Sequence, residues 1–459
     1  MPHGLFLRVK SLSLTLAMLG TACLVPGPAV AGSQSGEVHT RTQSAAPATE
    51  SDVMAFRRLR TEAIAAAAAD DLDLAAALLA QADGRIPNHP GLMALQARVD
   101  AARGNGAGAI SHLQRYARAG FIMNLERDAA LSALSDTPGF AQAADRIAAN
   151  ALPIGADRLS ILASVPGAGL IEGVVRDEAG EGWLVSRVAG RDILRLRGTE
   201  FTTFVGATPS IEGLLGLALD TDTGILWAAS SPAPPAVHGR QGPTGPAALL
   251  QIGLDDGRVQ AVYPVPDEPG LEAREHGLGD VTVHPDGTVY VSDGLAGEVY
   301  RLAPSGAALE TLVASGTLGS PQGLVVTPDG TALVIADYSS GLWRVALGGG
   351  VPSRMVVPAD AGLIGIDGLM TDGQAIYALQ NGTAPQRVLR LVPDADWTRI
   401  DTVEVLAANL PQIAEPTTGL VAGGELVFVS RSQWSDFAAD GSLRTPEPAP
   451  GIIARLRLD

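Results

Sequence analysis

Two hydrophobic rhythms divide the chain. Between Asp52 and about Asn150, small and apolar residues recur at the spacing of helices that bury one face. Asp71-Leu72-Asp73 opens one such segment, which carries Ala75, Leu79 and Ala82 on one side and is stopped by Pro87 and Pro90. Ala109 and Leu113 repeat Ala75 and Leu79 at an interval of 34 residues. A last helix pair is expected over Leu125–Asn150, with Pro138-Gly139-Phe140 as its turn. From Ile171 the rhythm changes to strand alternation. One unit reads as a small or polar residue, Gly, an apolar run, a turn with Asp-Gly or Gly, a second apolar run, and a third ending in Arg-Leu. Gln322-Gly323-Leu324-Val325-Val326, followed by Pro328-Asp329-Gly330, Ala332–Ala336 and Gly341–Leu347, is a clear copy. Val281–Val283, His284-Pro285-Asp286-Gly287, Val289–Ser292 and Glu298–Leu302 form another. Asp-Gly between such runs specifies a tight hairpin, because the turn needs positive φ.

Aligning the copies puts the residue ahead of the first strand at Glu172, Leu215, Gly279, Gln322, Asp367 and Thr418, in steps of 43, 64, 43, 45 and 51 residues. The long step holds a Pro/Gly/Ala-rich loop between Pro232 and Pro246. A period near 45 residues with several short strands per unit predicts a β-propeller. The expected fold class is mainly β: a six-bladed β-propeller over residues 157–459, behind a small α-helical domain over 52–152. Blades one to five supply four runs each. The sixth supplies three, Gly419–Ala422, Glu425–Ser430 and Ile452–Leu458. Leu159–Val165 is therefore predicted to pair with Ile452–Leu458 and to seal the ring.

Ahead of both domains, Arg8 and Lys10, the apolar run Ser11–Val25 and Ala29-Val30-Ala31 read as a signal peptide over residues 1–31. The run is too short for a spanning helix. The competing reading, a lipid anchor at Cys23, meets Gly20 where such motifs carry Leu, Val or Ile. Residues 32–51 have linker composition. A periplasmic or secreted protein is expected. The 459 residues include 32 basic and 49 acidic ones, a net charge of −17 that disfavours nucleic acid and anionic membrane as partners. Lys10 and Cys23 are the sole lysine and cysteine, and both fall in the signal peptide. The mature chain then has no Schiff-base lysine, cysteine nucleophile, thiolate metal site or disulfide.

Propeller topology says where chemistry can sit. The first strand of a blade starts, and the second ends, on one face. The six pre-strand residues thus form an inner ring around the channel. A wider ring follows: Ser186-Arg187, Ser230, Asp293, Asp337-Tyr338, Gln380-Asn381 and Arg431-Ser432. The inner ring holds the carboxylates Glu172 and Asp367, with Gln322 between them in ring order. Oxygen ligands converging on a channel suit Ca²⁺, Mg²⁺ or Mn²⁺. Two acids facing one channel repel unless a cation or proton joins them. They could instead cap backbone N–H groups and bind nothing. Trp434, just past a second-strand end, is a candidate pocket wall, whereas Trp183, Trp227 and Trp343 fall at strand positions and are expected to pack between blades. Asp220–Gly224 begins like a calcium loop but lacks the acid at its twelfth position, so it reads as a hairpin turn. His276 and His284 lie near the start of the third blade with no nucleophile to serve.

These residues carry a resemblance. Ile171–Leu458 resembles the SMP-30/gluconolactonase/LRE family of six-bladed propellers, through Ile171-Glu172-Gly173, Pro321-Gln322-Gly323-Leu324 with Thr-Pro-Asp-Gly after it, Ala336-Asp337-Tyr338, Ile366-Asp367-Gly368 and Gln380-Asn381-Gly382. The 34-residue interval is likewise similar to tetratricopeptide (TPR) helix pairs. The family resemblance implies a divalent cation, Ca²⁺ foremost and Mn²⁺, Mg²⁺ or Zn²⁺ otherwise, held by Glu172, Gln322 and Asp367. It implies a hydrolase of a small lactone or ester, with Asp367 as the catalytic residue that holds or deprotonates water. Arg187, Asp337, Tyr338, Asn381 and Arg431 would line the substrate pocket. Two positions depart from the family: Gln322 replaces a usual Asn, and Gly279 stands where a second Asn is often found, with Asp280 beside it either a substitute or a strand-start cap. The competing reading is a non-catalytic propeller that binds a ligand or protein partner, with the TPR-like domain as its docking module, since one fold hosts both uses.

Overall fold

The computed structural model describes residues 50–177, 182–241, 243–266 and 274–459. The expected signal peptide, Cys23 and nearly all of the linker lie outside the described residues.

Six helices come first: α1 (Asp52–Ala68), α2 (Leu72–Arg85), α3 (Pro90–Ala102), α4 (Gly106–Arg118), α5 (Ala129–Ser132) and α6 (Phe140–Ala149). Side chains of Ser51, Asp71, His89, Asn105 and Asp128 accept the orphan N–H groups that open the first five. The 34-residue interval is structural: Asp71 and Asn105 cap α2 and α4, and Ala75, Leu79, Ala109 and Leu113 are all fully buried. Pro90, expected as a stop, instead starts α3, where a missing N–H costs nothing. Among the described residues, no helix is long and apolar enough to cross a membrane.

The rest forms six four-stranded antiparallel sheets. Strand β1 (Leu159–Val165) precedes blade one, β2–β5 (Ile171–Asp177, Gly182–Arg187, Asp192–Arg197, Glu200–Val205). Blade two is β6–β9 (Gly213–Asp220, Ile225–Ser231, Ala248–Gly253, Val259–Pro264) and blade three β10–β13 (Leu278–Val283, Val289–Asp293, Glu298–Leu302, Glu310–Val313). Blade four is β14–β17 (Pro321–Val326, Ala332–Asp337, Gly341–Ala346, Ser353–Arg354) and blade five β18–β21 (Ile366–Thr371, Ile376–Gln380, Arg387–Pro393, Ile400–Ala408). Blade six is β22–β24 (Gly419–Ala422, Glu425–Arg431, Gly451–Arg457), completed by β1. β1 pairs with β24 from Leu159↔Leu456 to Val165↔Gly451, so both chain ends close the ring as the strand arithmetic requires.

The innermost strands touch in cyclic order, β2, β6, β10, β14, β18, β22 and back to β2, which defines the channel. Their closeness explains the Gly that follows the ring position in blades one, two, four and five. A Cβ on Gly173 would lie 2.7 Å from Leu215 O, on Gly216 2.6 Å from Gly279 O, and on Gly368 2.1 Å from Thr417 O, so only glycine lets neighbouring backbones pass. In blades one to five the first strand also breaks register at this point, for example between Ile171 and Val174 and between Ile366 and Leu369. Such a bulge re-aims one side chain out of the sheet's alternation.

The helical domain rests on the propeller. Val53, Phe56 and Leu59 share one core with Leu318, Trp343 and Ile364. Asn88 Nδ2 donates to Ala359 O (2.8 Å) and Ala361 O (3.1 Å), and Ile122 N donates to Ala384 O (2.8 Å). Arg387, 5 % exposed, donates to Ala119 O (2.9 Å) across the boundary and lies over the Phe121 ring. These propeller loops precede first strands or follow second strands. The helices therefore lie on the face that carries the inner ring, over blades three to five.

Candidate functional site at the channel mouth

All six inner-ring residues keep partial exposure between largely buried neighbours, as channel-facing positions do. Glu172 Oε2 accepts Trp434 Nε1–H at 2.8 Å, and its backbone carbonyl accepts the Thr417 hydroxyl at 2.7 Å. Burial pushes the Glu172 carboxyl well above the ordinary range. Asp367 pushes the same way, the Trp434 bond opposes, and Asp280 and Glu415 add to the rise. Burial likewise raises Asp367 to about 7 against the hydrogen bond from Asn381. Asp280 is raised by burial and then by Asp367. The structure thus brings Glu172 and Asp367 within electrostatic reach of each other, with Asp280 as a third acid. Acids that face one channel repel one another unless a proton or a cation joins them.

The three expected ligands share a pattern. Each has one polar atom fixed by the protein and one oxygen left without a donor among the described residues. Glu172 Oε2 is held by Trp434, and Asp367 Oδ2 accepts Asn381 Nδ2 at 2.5 Å. Gln322 Nε2 donates to Ser320 Oγ at 3.0 Å, itself tied to Gly294 O, which leaves Gln322 Oε1 as the free oxygen. That oxygen lies beside Gly279: a Cβ there would sit 3.4 Å from it. The extra methylene of Gln322 thus carries its carbonyl over the residue that has no side chain. Asp280 stands in the glycine register, with Oδ1 2.9 Å from where a Cβ on Gly216 would be, so it packs toward blade two. Among the described residues, no three His, Cys, Asp or Glu side chains are arranged to hold a metal ion. A cation here would draw on two carboxylates, the Gln322 amide and water. Hard oxygen donors of this kind fit Ca²⁺, Mg²⁺ or Mn²⁺, which keep water ligands.

The wider ring is mixed. Asp337 does not line a pocket. It is fully buried and its carboxylate accepts from Gly319 N (2.5 Å), Ser320 N (2.8 Å), Ser339 N (3.0 Å) and the hydroxyls of Ser339 and Ser340, which leaves nothing for a substrate. Asp293 and Gln380 fasten the leading loops of their own blades in the same way. Arg187 is committed to a two-pronged pair with Asp192, and Arg431 to Asp436 at 3.3 Å. Tyr338 donates to Asn381 Oδ1 at 3.0 Å, and Asn381 to Asp367, so these two form a relay into the channel. Burial, Asp367 and Glu415 push the Tyr338 hydroxyl far above its usual range. His276 is fixed by Asp293 at 2.7 Å and His284 reaches Gly330 O at 3.0 Å in a distant turn.

Sequence reasoning missed Glu415 and the Trp434–Glu172 bond. It also missed a roof over the mouth. The blade-two insertion, with the helical turn α7 (Pro234–Val237), meets the blade-six loop at His238 Nδ1 and Asp440 O (3.0 Å). Ala236 and Phe437 pack there with Leu170 and Val188, against Leu215 and Trp434. The Pro/Gly/Ala composition signalled a loop but not its partner.

The fold and site together define a six-bladed β-propeller with an acid-lined channel mouth. No family model matches the chain, and no curated protein matches it. Solved structures it is similar to include a calcium-binding protein, regucalcin, from Agrobacterium tumefaciens, at 21 % identity over 64 % of this chain and 93 % of that one, TM-score 0.45. Others are a PQQ-bound aldose sugar dehydrogenase from Streptomyces coelicolor, at 18 % identity over 65 % and 97 %, TM-score 0.42, and a luciferin-regenerating enzyme, at 12 % identity over 67 % and 95 %, TM-score 0.45. With scores this low, none carries the reading of the site, which rests on its own residues.

Proposed function

We propose that the protein is a periplasmic, divalent-cation-dependent hydrolase of a small lactone or ester, as its resemblance to the SMP-30/gluconolactonase/LRE family implies. One observation supports this most: Glu172, Asp367 and Gln322 each present a free oxygen at the channel while a neighbour fixes the other polar atom. These three would hold the cation, with Ca²⁺ the best match to the oxygen donors. The bound cation would polarise the ester carbonyl and steady its developing negative charge. Asp367 holds the attacking water and takes its proton, and Asn381 with Tyr338 keeps that carboxylate in place. Water adds to the carbonyl carbon, the ring C–O bond breaks as its oxygen takes the proton back from Asp367, and a hydroxy acid leaves. Tyr338, Arg187 and Arg431 border the substrate with the partly exposed portions of their side chains.

Thermal melting tests the reading. After EDTA treatment, adding Ca²⁺, Mn²⁺ or Zn²⁺ should raise Tm, since a ligand at a hundredfold excess over Kd stabilises the native state by about 2.7 kcal/mol. Glu172→Ala should lose the response. An absent shift with every cation, together with a Glu172→Ala melt like the parent's, would sink the proposal. In a lactone panel Asp367→Ala should lose activity, and undiminished turnover would remove Asp367 from the mechanism.

A further inference from the structure

The segment Ala414-Glu415-Pro416-Thr417 links blade five to blade six and braces both acids. Thr417 Oγ1 donates to Glu172 O at 2.7 Å. Pro416 O accepts from Asn381 Nδ2 at 3.0 Å, the nitrogen that also holds Asp367. Glu415 Oε2 accepts Ser435 N at 2.9 Å, in the single 3₁₀ turn Trp434–Asp436. The indole of that turn is the donor to Glu172 Oε2. From the other side, Glu415 N donates to Gln386 Oε1 at 2.6 Å.

The backbone here is strained. Glu415 has φ +60° and immediately precedes Pro416. A side chain disfavours the left-handed region, and a following proline restricts the residue further. Such a conformation persists where surrounding contacts over-determine it, and it clusters at functional sites. The contacts that determine this one run to the working acids: forward to Glu172 through Ser435 and Trp434, and sideways to Asp367 through Pro416 and Asn381.

We propose that Glu415 is a positioning residue for the channel site: through the Ser435–Trp434 turn it holds the Glu172 carboxylate, and its segment sets the placement of Glu172 relative to Asp367. This rests on the reading of Glu172 and Asp367 as the working pair. Glu415 makes no hydrogen bond to either acid. What it supplies is an acceptor for the turn that aims the indole N–H. Partners of this kind, one layer behind a ligand, affect metal affinity by roughly ten- to a hundredfold.

The test separates positioning from mere support of the fold. Glu415→Gln keeps an oxygen for Ser435 N, and Glu415→Ala removes it. The emission of Trp434 is isolated by subtracting the Trp434→Phe spectrum in each background. Glu415→Ala should shift that emission to the red and raise the cation concentration for half-maximal thermal shift by roughly tenfold or more. Glu415→Gln should restore both. A purely structural role would lower the cation-free Tm and leave emission and cation midpoint at the parental values, and that result overturns the proposal. So does a Gln variant that behaves like the Ala variant, because the route runs through the hydrogen bond. Should Glu415→Ala not fold, Gln386→Ala releases the segment from its other side, and an unshifted Trp434 emission in that variant overturns the proposal as well. If no cation shifts the parent's melt, the hydrolase reading fails while the cation-free emission still decides the role of Glu415.

Discussion

His89 Nδ1 accepts the N–H of Leu92 at 3.3 Å and so caps α3, with its ring centroid 4.9 Å from that of Phe56. Burial, and then the charge of Arg60, lowers its pKa to about 4 from an ordinary 6.5. Between those values the unfolded chain binds a proton that the folded chain refuses. Stability therefore rises with pH across the window and is lost on acidification from 6.5 toward 4. The loss is on the order of 2 kcal/mol after allowance for the ring's partial exposure. His89→Asn keeps a capping acceptor and removes the titration. Urea unfolding of both proteins at pH 7 and pH 4.5 should show the variant losing less stability on acidification, and equal losses would clear His89 of the effect. At this scale the placement of the candidate residues was legible. Glu172, Asp367 and Gln322 stand at equivalent points of a repeat, and a repeat fixes their shared ring. Asp337 misled because its ring position was correct while its hydrogen bonds, made to loop amides of its own blade, leave no periodic trace.

Elements show why the repeat could be read and where reading stopped. In blades one, two, four and five the glycine after the ring position marks a backbone crossing that admits no Cβ, so the constraint is local and recurs with the repeat, whereas blade three carries Asp280 there. The third-strand Arg-Leu pairs recur likewise: Leu196, Leu302, Leu391 and Leu456 are buried beside partly exposed arginines. The closing strand β1 was legible because a four-stranded blade that supplies three strands must borrow one. The insertions have no such periodicity, and their meeting over the mouth depends on contacts about 200 residues apart, such as His238 to Asp440. Gly441 makes that meeting testable. It has φ +83°, and a Cβ there would lie 2.1 Å from Pro234 O. Gly441→Ala must push the blade-six loop away from α7. We expect a destabilisation of about 1–3 kcal/mol, as for overpacked sites, and a changed Trp434 emission. A parental melt and spectrum would mean that the two loops do not support each other.

On the whole-molecule scale the channel mouth is flanked on both sides: by the roof over blades one, two and six, and by the helices over blades three to five. Composition and periodicity predict both the helices and the propeller, but not that the helices lean on the face that carries the inner ring. Arg387 carries much of that contact. Its guanidinium donates to Ala119 O in the helical domain, to Gly362 O (3.1 Å) in the loop that leads into β18, and to Gln380 Oε1 (2.7 Å). Gln380 in turn donates to Gly362 O and Ile364 O, three residues before Asp367. Burial lowers the Arg387 pKa to about 10, so the side chain stays charged at neutral pH with carbonyls and the Phe121 ring as its surroundings. Arg387→Met keeps the bulk and removes every donor. Each buried carbonyl left unpaired costs about 1–3 kcal/mol, so Tm should fall. The site of the damage is the sharper measurement. Hydrogen exchange should quicken first in α4 and in the Gly362–Ile364 loop, while β10–β12 keep their protection, because those strands share no bond with Arg387. Equal loss of protection throughout would mean that the helices and the propeller unfold as one unit and that Arg387 is not the hinge of their contact. Loss confined to α4, with the loop unchanged, would mean that the helical domain rides on the propeller without reaching the approach to Asp367.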